Sequence, residues 1–382
     1  MNAGTEGRGR RALLVTRNFP PLVGGMERLN QRLLAALATA GPVWLAGPEG
    51  CREHAGGAER VEEVRLRPLW RFLVGAAVAA ARLARAARPT VVVAGSGLAA
   101  PQALLASRLV GARCAVYVHG LDLVVDNPVY QRCWVPAIRR ADRVLANSRH
   151  TARLAIARGV APERISVVTP GVDAGAAVLQ DAAAVRAKHG LGAGPVLVSV
   201  GRLTARKGLQ GFVRDVLPVV AACHPDVRLV VIGDEPRDAL HAAAGSERER
   251  VLSAARLAGM AERVVLLGSV DDAELAGLLA TADLHVFPVQ AMPGDVEGFG
   301  MVALEAAAQG TPTLGYAVGG VPDAVEQDAS GELVQAGDAA ALAGAILRWL
   351  ARPRGEAATA CRAFAARNSW AEFGRKVREA LR

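Results

Sequence analysis

Short apolar runs alternate with longer stretches rich in alanine and leucine along almost the whole chain. The short runs contain mainly valine, leucine and isoleucine, and they are bounded by glycine, proline or polar residues. Strands that helices cover on both faces have continuous apolar runs of this kind, so the pattern predicts buried parallel strands separated by helices. The predicted strands span residues 12–16, 43–47, 90–94, 114–119, 143–147, 165–169, 195–200, 227–232, 264–267, 284–288, 311–315 and 332–335.

The alternation is interrupted between residues 170 and 194, where several glycines surround one short predicted helix. A chain of 382 residues also exceeds what a single hydrophobic core usually supports. We therefore predict an α/β protein with two doubly wound domains of parallel strands. The predicted parts are an N-terminal domain at 1–172, a linker at 173–194, a C-terminal domain at 195–356, and helices at 357–382 that pack back on the N-terminal domain.

Composition and charge narrow the class of protein. Hydrophobic residues make up 52% of the chain and charged residues 21%, as in globular proteins. Residues 1–190 carry a net charge of +13 and residues 191–382 one of −4. The basic half could meet anionic lipid headgroups, a phosphorylated ligand or nucleic acid. Aromatic residues are only 4% of the chain and do not interleave with the basic ones, which argues against nucleic acid.

Metal, disulfide and nicotinamide chemistry have little support in the sequence. The five cysteines form no C-x-x-C pair, and no Asp-x-Asp pair or His/Cys/Asp cluster has metal-ligand spacing. No G-x-G-x-x-G fingerprint follows the first predicted strand. The N-terminal residues lack the apolar core of a signal peptide. We therefore expect a cytoplasmic protein without metal or cofactor.

The most informative segment is 294–305, in which Glu297 and Glu305 are separated by seven residues. A Gly-Phe-Gly turn at 298–300 follows the first glutamate, and a predicted helix carries the second about two turns in. The free amides at such a helix start form an anion site. A phosphate held there would have one carboxylate on each side, which suits a nucleotide sugar. The alternative is a capped surface helix with two solvated glutamates.

Two loops of the N-terminal half also follow predicted strands, where parallel sheets bind their ligands. Gly24 and Gly25 open a helix after the first strand and let the backbone approach an anion. His119, followed by Gly120, can donate a hydrogen bond to a sugar hydroxyl or a phosphate. The alternatives are an ordinary strand-to-helix loop and a structural histidine.

A basic loop at 201–208 follows the first strand of the C-terminal half. Arg202 offers a planar fork and Lys207 a point charge, and together they can neutralise a diphosphate. The alternative is a solvated basic loop, and Arg206 is assigned to that alternative.

Taken together, these motifs resemble the retaining glycosyltransferases of family 4, and the resemblance covers nearly the whole chain. Its most specific part is the glutamate pair with Gly-Phe-Gly between them, followed by Gly-Gly-Val-Pro at 319–322. The family has the GT-B fold, in which two Rossmann-like domains face each other across a cleft. The resemblance implies that the N-terminal domain binds the acceptor and that the C-terminal domain binds a nucleotide diphosphate sugar.

The resemblance also implies roles for individual residues. It places Glu297 at the donor sugar, Glu305 at the ribose hydroxyls, and Arg202 and Lys207 on the diphosphate. His119 matches a residue close to the sugar and the β-phosphate. The other donor-binding positions that it implies are Gly24, Gly25, Val270, Gly298, Phe299, Gly300, Met301 and Val302, and Asp122 is the expected acceptor contact.

The expected activity is transfer of a hexose, with retention, from a UDP- or GDP-sugar to a hydroxyl of a glycan, a lipid-linked or a small-molecule acceptor. Bacterial cell-surface polysaccharide or glycoconjugate synthesis is the expected setting. The alternatives are a natural-product glycosyltransferase, a non-catalytic nucleotide-sugar-binding protein, and a related epimerase or phosphorylase.

Segment 65–88 combines apolar residues with six arginines. Trp70 and its apolar neighbours could insert into an interface while the arginines meet anionic headgroups, which would hold the protein on the inner face of the plasma membrane. The alternative is an ordinary amphipathic helix that covers the N-terminal sheet.

Overall fold

The computed structural model describes residues 10–173, 181–235, 246–353 and 355–382. The chain divides into two compact units. Unit 1 contains the residues up to Pro170 together with Trp370–Arg382, and unit 2 contains Gly171–Ser369. Each unit has one sheet of parallel strands, as the apolar runs predict.

The unit 1 sheet has seven strands in the order β3-β2-β1-β4-β5-β6-β7. These strands are β1 Ala12–Val15, β2 Val43–Pro48, β3 Ala58–Val64, β4 Val91–Ala94, β5 Arg113–Val118, β6 Arg143–Ala146 and β7 Ile165–Val167. The helices before the second unit are α1 Gly25–Ala38, α2 Leu69–Ala87, α3 Ala100–Val110, α4 Leu121–Val124, α5 Pro128–Cys133, α6 Val135–Arg139 and α7 Arg149–Ala157.

The unit 2 sheet has six strands in the order β10-β9-β8-β11-β12-β13. These strands are β8 Val196–Val200, β9 Arg228–Ile232, β10 Val264–Gly268, β11 Leu284–Phe287, β12 Thr313–Tyr316 and β13 Gly331–Val334. The remaining helices are α8 Ala182–Lys188, α9 Leu209–Gly211, α10 Leu217–Cys223, α11 Glu247–Leu257, α12 Asp272–Thr281, α13 Met301–Gln309, α14 Ala339–Leu350, α15 Ala358–Arg367 and α16 Trp370–Ala380. A π-helical segment, Phe212–Val216, joins α9 to α10.

Alternate residues of the central strands bury opposite faces of each sheet, as the two-residue period of a strand requires. In β1, Leu13 and Val15 join the apolar cluster beneath α2 and α3, whereas Ala12 and Leu14 join the cluster beneath α1 and α16. In β8, Leu197 belongs to one cluster and Val198 to the other. Helices therefore cover both faces, which confirms the predicted doubly wound architecture.

β3 is the strand that the apolar pattern did not predict. Its sequence carries three glutamates and an arginine, and most of its side chains are exposed or half-buried. Among the described strands, β3 lies at the edge of the sheet and pairs only with β2. An edge strand with a solvated face needs no continuous apolar run, so the pattern that identifies central strands misses it.

The C-terminal helices divide between the units, and the prediction that both pack on the N-terminal domain is wrong for α15. Cys361 and Phe364 of α15 are buried in the core of unit 2. Phe373 and Val377 of α16 are buried in the core of unit 1 beside α1. The chain passes from unit 2 to unit 1 between Ser369 and Trp370.

The segment predicted as a linker belongs largely to unit 2. Val185 of α8 is buried in the same apolar cluster as Leu278 of α12. Residues 174–180 lie outside the described part of the chain. Among the described residues, no helix is long and apolar enough to cross a membrane.

Candidate active site

The predicted diphosphate-binding loop is a tight turn after β8. Gly201 leaves the strand with φ of 141°, and a Cβ there would lie 3.1 Å from Cε of Lys207. A short 3₁₀ turn, Ala205–Lys207, follows and ends at Gly208 with φ of 69°. A Cβ at Gly208 would lie 2.0 Å from the Pro288 carbonyl oxygen, so this position requires glycine.

The glutamate segment enters the same region after β11. The Gln290 amide donates to the Arg206 carbonyl at 2.8 Å, which ties the two loops together. Gly300 then starts α13 with φ of 97°. The first amides of α13, at Met301 and Val302, lie where a helix has no intrahelical partner for its N–H groups, as the anion site requires.

The Gly319-Gly320 pair fixes the position of this segment. The Gly320 amide donates to the Glu297 carbonyl at 2.8 Å. A Cβ at Gly320 would lie 2.0 Å from the Gly298 carbonyl oxygen, and one at Gly319 would lie 2.4 Å from the Glu297 carbonyl oxygen. The glycine pair thus allows a backbone approach that any side chain would prevent. Phe299 is buried beneath the turn.

Glu297 is the centre of a charge cluster, which we define as Arg206, Lys207, Asp295 and Glu297. Its Oε2 accepts a hydrogen bond from Lys207 Nζ at 2.8 Å and another from the Arg206 guanidinium. Arg206 Nε donates to Asp295 Oδ2 at 3.0 Å. Two cations and two carboxylates therefore share one site, and the Lys207 ammonium also lies 4.7 Å from the Phe287 ring centroid.

The pKa values of Glu297 and Lys207 are both lowered, but for different reasons. Burial acts to raise the pKa of Glu297, but Lys207 and Arg206 outweigh it and hold that pKa at about 2. Burial lowers the pKa of Lys207, and Glu297 opposes that effect. Glu297 is therefore a carboxylate at neutral pH, held by two hydrogen-bonding cations.

The other donor-site residues predicted in unit 2 lie around this cluster or at neighbouring strand ends. Arg202 is exposed at the start of the 201–208 loop, and Glu305 is half-buried on the second turn of α13. Val270 follows the carboxyl end of β10 and packs against the apolar cluster on that face of the sheet. These positions suit the predicted roles, which stay predictions.

His119 and Asp122 interact with each other at the carboxyl end of β5 in unit 1. The His119 amide donates to Asp122 Oδ2 at 2.9 Å, and His119 Nε2 lies 2.9 Å from the Gly95 carbonyl oxygen. Asp122 thus positions the His119 backbone, while its predicted acceptor contact stays a prediction. Gly25 begins α1 after Gly24, as the loop pattern predicts.

Polar side chains that the sequence analysis did not select lie on α5 and after β4 and β6, the strands that flank β5. Asn147 Nδ2 donates to the His119 carbonyl at 3.3 Å. Buried Ser96 Oγ, Asn147 Oδ1 and Tyr130 OH have no hydrogen-bond partner in the described part of the chain. Buried polar atoms are usually paired, so these three are candidates for contact with a ligand. Position is the signal for two of them, because Ser96 and Asn147 each follow the end of a strand, whereas Tyr130 lies within α5.

Arg206 and Asp295 were missed for a different reason. The sequence predicts that Arg206 is a solvated residue in a basic loop. In the structure, Arg206 is 9% exposed and bonded to two carboxylates. Its partners lie about ninety positions away in sequence, at separations of 89 and 91 residues. No local pattern indicates such a pairing.

A pocket of about 210 Å³ lies at the other, amino-terminal edge of the unit 2 sheet. Pro195, Leu284 and Pro312, at or near the starts of β8, β11 and β12, line it. It contains none of the predicted site residues, and strand carboxyl ends are where parallel sheets bind ligands, so we place the candidate site at the charge cluster.

Comparisons with known proteins place the chain in a family. Residues 181–380 match the family model described as Glycosyl transferases group 1, and residues 23–175 match Glycosyltransferase Family 4. The chain is 32% identical over 387 residues, 97% of each chain, to the GDP-mannose-dependent alpha-(1-6)-phosphatidylinositol monomannoside mannosyltransferase of Mycolicibacterium smegmatis. It is 36% identical over 199 residues to the D-inositol 3-phosphate glycosyltransferase of Segniliparus rotundus, covering 52% of this chain and 42% of that protein.

Solved structures agree on the fold. HepE of Anabaena in complex with UDP superposes with a TM-score of 0.79 at 21% identity, over 97% of this chain and 99% of that one. Sucrose-phosphate synthase of Thermosynechococcus elongatus gives 0.77 at 22%, over 97% and 98%. These likenesses establish a GT-B type of fold with two Rossmann-like domains. With both family models matched across the two units, the chain belongs to the family 4 glycosyltransferases of the glycosyl transferases group 1.

Proposed function

We propose that this glycosyltransferase moves a hexose from a nucleotide diphosphate sugar to an acceptor hydroxyl, with retention at the anomeric carbon. The observation that carries the proposal is the charge cluster, in which Glu297 and Lys207 meet beside the start of α13. A carboxylate can bind sugar hydroxyls, while an ammonium and helix-start amides can bind phosphate. The mannosyltransferase relative, matched over 97% of both chains, favours GDP-mannose as the first donor to test.

The donor would lie along the carboxyl ends of the unit 2 strands. Lys207 and Arg202 would neutralise the diphosphate at the start of α13, and Glu305 would accept hydrogen bonds from the ribose. Glu297 would then face the sugar. This order agrees with the roles that the family resemblance implies. The role of His119 near the sugar and the β-phosphate stays a prediction.

The proposed chemistry needs no protein nucleophile. The bond between the anomeric carbon and the β-phosphate oxygen breaks while the acceptor oxygen bonds to the same face of that carbon. The acceptor proton passes to the leaving phosphate. Lys207, Arg202 and the helix-start amides would stabilise the charge that develops on the diphosphate, which is the work a metal ion performs in other transferases. Metal independence is part of this proposal.

The acceptor is proposed to carry a ring of hydroxyls. Ser96, Asn147 and Tyr130 present buried, unpaired hydrogen-bonding atoms beside His119, and such atoms bind hydroxyl groups well. The names of the relatives mention phosphatidylinositol monomannoside and inositol 3-phosphate, so a cyclitol or its mannoside is the first class to test. Glycoconjugate synthesis is the proposed setting, and a natural-product acceptor is the alternative.

We further propose that unit 1 rests on an anionic membrane surface. The buried face of α2 covers the sheet, as an amphipathic helix does, but Trp70 and Val74 on its other face are 60% and 58% exposed. Leu105 and Leu109 of neighbouring α3 are exposed as well. Between Val64 and Leu121 the sequence has eight arginines and no acidic residue. Exposed apolar groups in a segment that is rich in arginine and lacks acidic residues match the surface of an anionic bilayer.

A panel of UDP-, GDP-, ADP- and dTDP-sugars tests the enzymatic proposal, with inositol, inositol phosphates and their mannosides as acceptors. We expect transfer with one nucleotide class, and proton NMR of the product should give the anomeric configuration of the donor. An inverted product, or donor binding without transfer to any hydroxyl acceptor, would contradict the proposal. The Lys207→Ala variant supplies the control with strongly reduced activity.

Sedimentation with vesicles tests the membrane proposal separately. We expect binding to anionic vesicles at low salt, release at high salt, and loss of binding when Trp70 and Val74 are replaced by serine. A protein that stays in the supernatant with anionic vesicles at low salt lacks the proposed surface.

A further inference from the structure

Arg206 differs from the other basic residues of its loop because its guanidinium is bonded to two carboxylates. It is buried, and both sides of its fork are occupied, Nε by Asp295 at 3.0 Å and NH1 by Glu297. Arg202, in the same loop, is exposed. Two carboxylates already offset the positive charge of this guanidinium, so Arg206 requires a different explanation from its neighbours.

The charges of the cluster balance only when no ligand is bound. Arg206 and Lys207 contribute two positive charges, and Asp295 and Glu297 contribute two negative ones. A diphosphate that attracts Lys207 would weaken its bond to Glu297 and bring further negative charge close to that carboxylate. In a buried site, where like charges repel strongly, an unsupported Glu297 would take up a proton or turn away. Arg206 is the remaining cation bonded to Glu297 in the described structure.

We propose that Arg206 is a positioning residue that holds the Glu297 carboxylate ionised and oriented towards the donor sugar while Lys207 engages the diphosphate. Asp295 fixes the guanidinium from the other side, and its Oδ1 is itself held by the Val296 amide at 2.8 Å. The inference rests on the proposed function, because it assigns Lys207 to the donor diphosphate and Glu297 to the donor sugar.

The main-chain contacts of the loops do not depend on the Arg206 side chain. The Gln290 amide bonds to the Arg206 carbonyl, and the Gly320 amide bonds to the Glu297 carbonyl, both at 2.8 Å. A substitution of the side chain leaves these bonds possible. The positioning role can therefore be separated from a general role in holding the fold.

The experiment compares Arg206→Gln, Arg206→Lys and Asp295→Asn with a matched control, Arg214→Gln. Arg214 forms an exposed pair with its neighbour Asp215, so its loss should change little. For each protein, calorimetry measures the affinity for the free nucleoside diphosphate and for the intact nucleotide sugar. Steady-state kinetics measure kcat and KM over a range of pH.

We expect Arg206→Gln to bind the free nucleoside diphosphate within about threefold of the wild type, because the phosphate contacts remain. The additional affinity due to the sugar should disappear, and kcat should fall about 10²-fold, the usual scale for one oriented polar group in an active site. Arg206→Lys should recover part of kcat, since it restores a charge without the fork. Asp295→Asn should show the same pattern more weakly.

The pH dependence of kcat distinguishes a positioning role of Arg206 from a role in stabilising the fold alone. Loss of Arg206 removes a cation from Glu297, so the pKa of Glu297 should rise and the acid limb of the kcat profile should move to higher pH. Among the described residues, the other charged groups in the cluster are Lys207, which follows Arg206 in the 201–208 loop, and Asp295, which lies two positions before Glu297. His285 of β11 lies close to Lys207, and burial lowers the pKa of this histidine to about 3, so it stays neutral in the assay range.

Three results would overturn the inference. Equal losses of affinity for the free nucleotide and the nucleotide sugar would mean that Arg206 binds phosphate directly. An unchanged kcat, or a reduced kcat with no movement of the acid limb, would leave Arg206 without a positioning role. If Arg206→Gln does not fold, the same measurements on Arg206→Lys and Asp295→Asn test the positioning role. If the wild type binds nucleotide sugars but transfers none, the proposed function fails, while the binding comparison still decides the role of Arg206.

Discussion

Replacing Glu297 by glutamine tests the charge cluster through stability, a property that needs no substrate. The two cations lower the pKa of this buried carboxyl from 4.5 to about 2. Because the folded-state pKa is depressed, the contribution to stability is present above pH 4.5 and is lost as pH falls towards 2. A tenfold change in the acid dissociation constant corresponds to roughly 1.4 kcal/mol, so the ionised side chain should contribute about 3 kcal/mol at pH 7. Glu297→Gln removes this contribution and leaves Arg206 and Lys207 incompletely paired.

Urea unfolding followed by hydrogen exchange in peptides of α13 would report on unit 2 alone. The variant should be less stable than the wild type by about 3 kcal/mol at pH 7 and by about 1 kcal/mol at pH 3, following the linkage relation. The matched control is Glu326→Gln, which breaks an exposed pair with Arg367 and should cost at most about 1 kcal/mol. If the two variants lose equal stability, or if the Glu297 difference does not shrink in acid, the cluster is not the charged centre described here.

Three further outcomes are expected. Gly320→Ala should reduce the affinity for the donor at least about tenfold, because its Cβ would lie 2.0 Å from the Gly298 carbonyl oxygen. A Cβ at Gly56 would have nothing within 4 Å, so the control Gly56→Ala should bind the donor normally in the same titration. Glu305→Ala should weaken binding of the free nucleoside diphosphate while Glu297→Ala spares it and abolishes transfer, and equal losses in calorimetry would show that the two roles are not divided. Lys207→Ala should lower kcat about 10²- to 10³-fold, and wild-type turnover should persist in EDTA; a strict requirement for a divalent ion would contradict transfer without a metal.

The central strands and the glutamate segment were accessible from sequence because their causes are local. A buried parallel strand is apolar along its whole length, and β8 and β11 follow that rule. The start of α13 was equally accessible, since Gly300 supplies the positive φ that the turn needs. These features depend on neighbours a few positions away, which a linear pattern records.

The failures also have physical causes. The apolar pattern did not predict β3 because an edge strand exposes one face to solvent, where charged residues are tolerated. The two C-terminal helices were assigned together to the N-terminal domain, yet α15 packs in unit 2 and α16 in unit 1. An apolar helix face shows that a partner exists but does not indicate which partner.

The sequence by itself determined the family, the two parallel sheets and the position of the glutamate pair, because these follow from local periodicity and from short motifs. Only the tertiary structure decided which charges meet. Arg206 and Glu297 are 91 positions apart, and their contact exists because β8 and β11 are neighbours in the sheet and place their following loops side by side. Pairing between distant residues depends on strand order, and strand order is a property of the folded sheet and not of any segment within it.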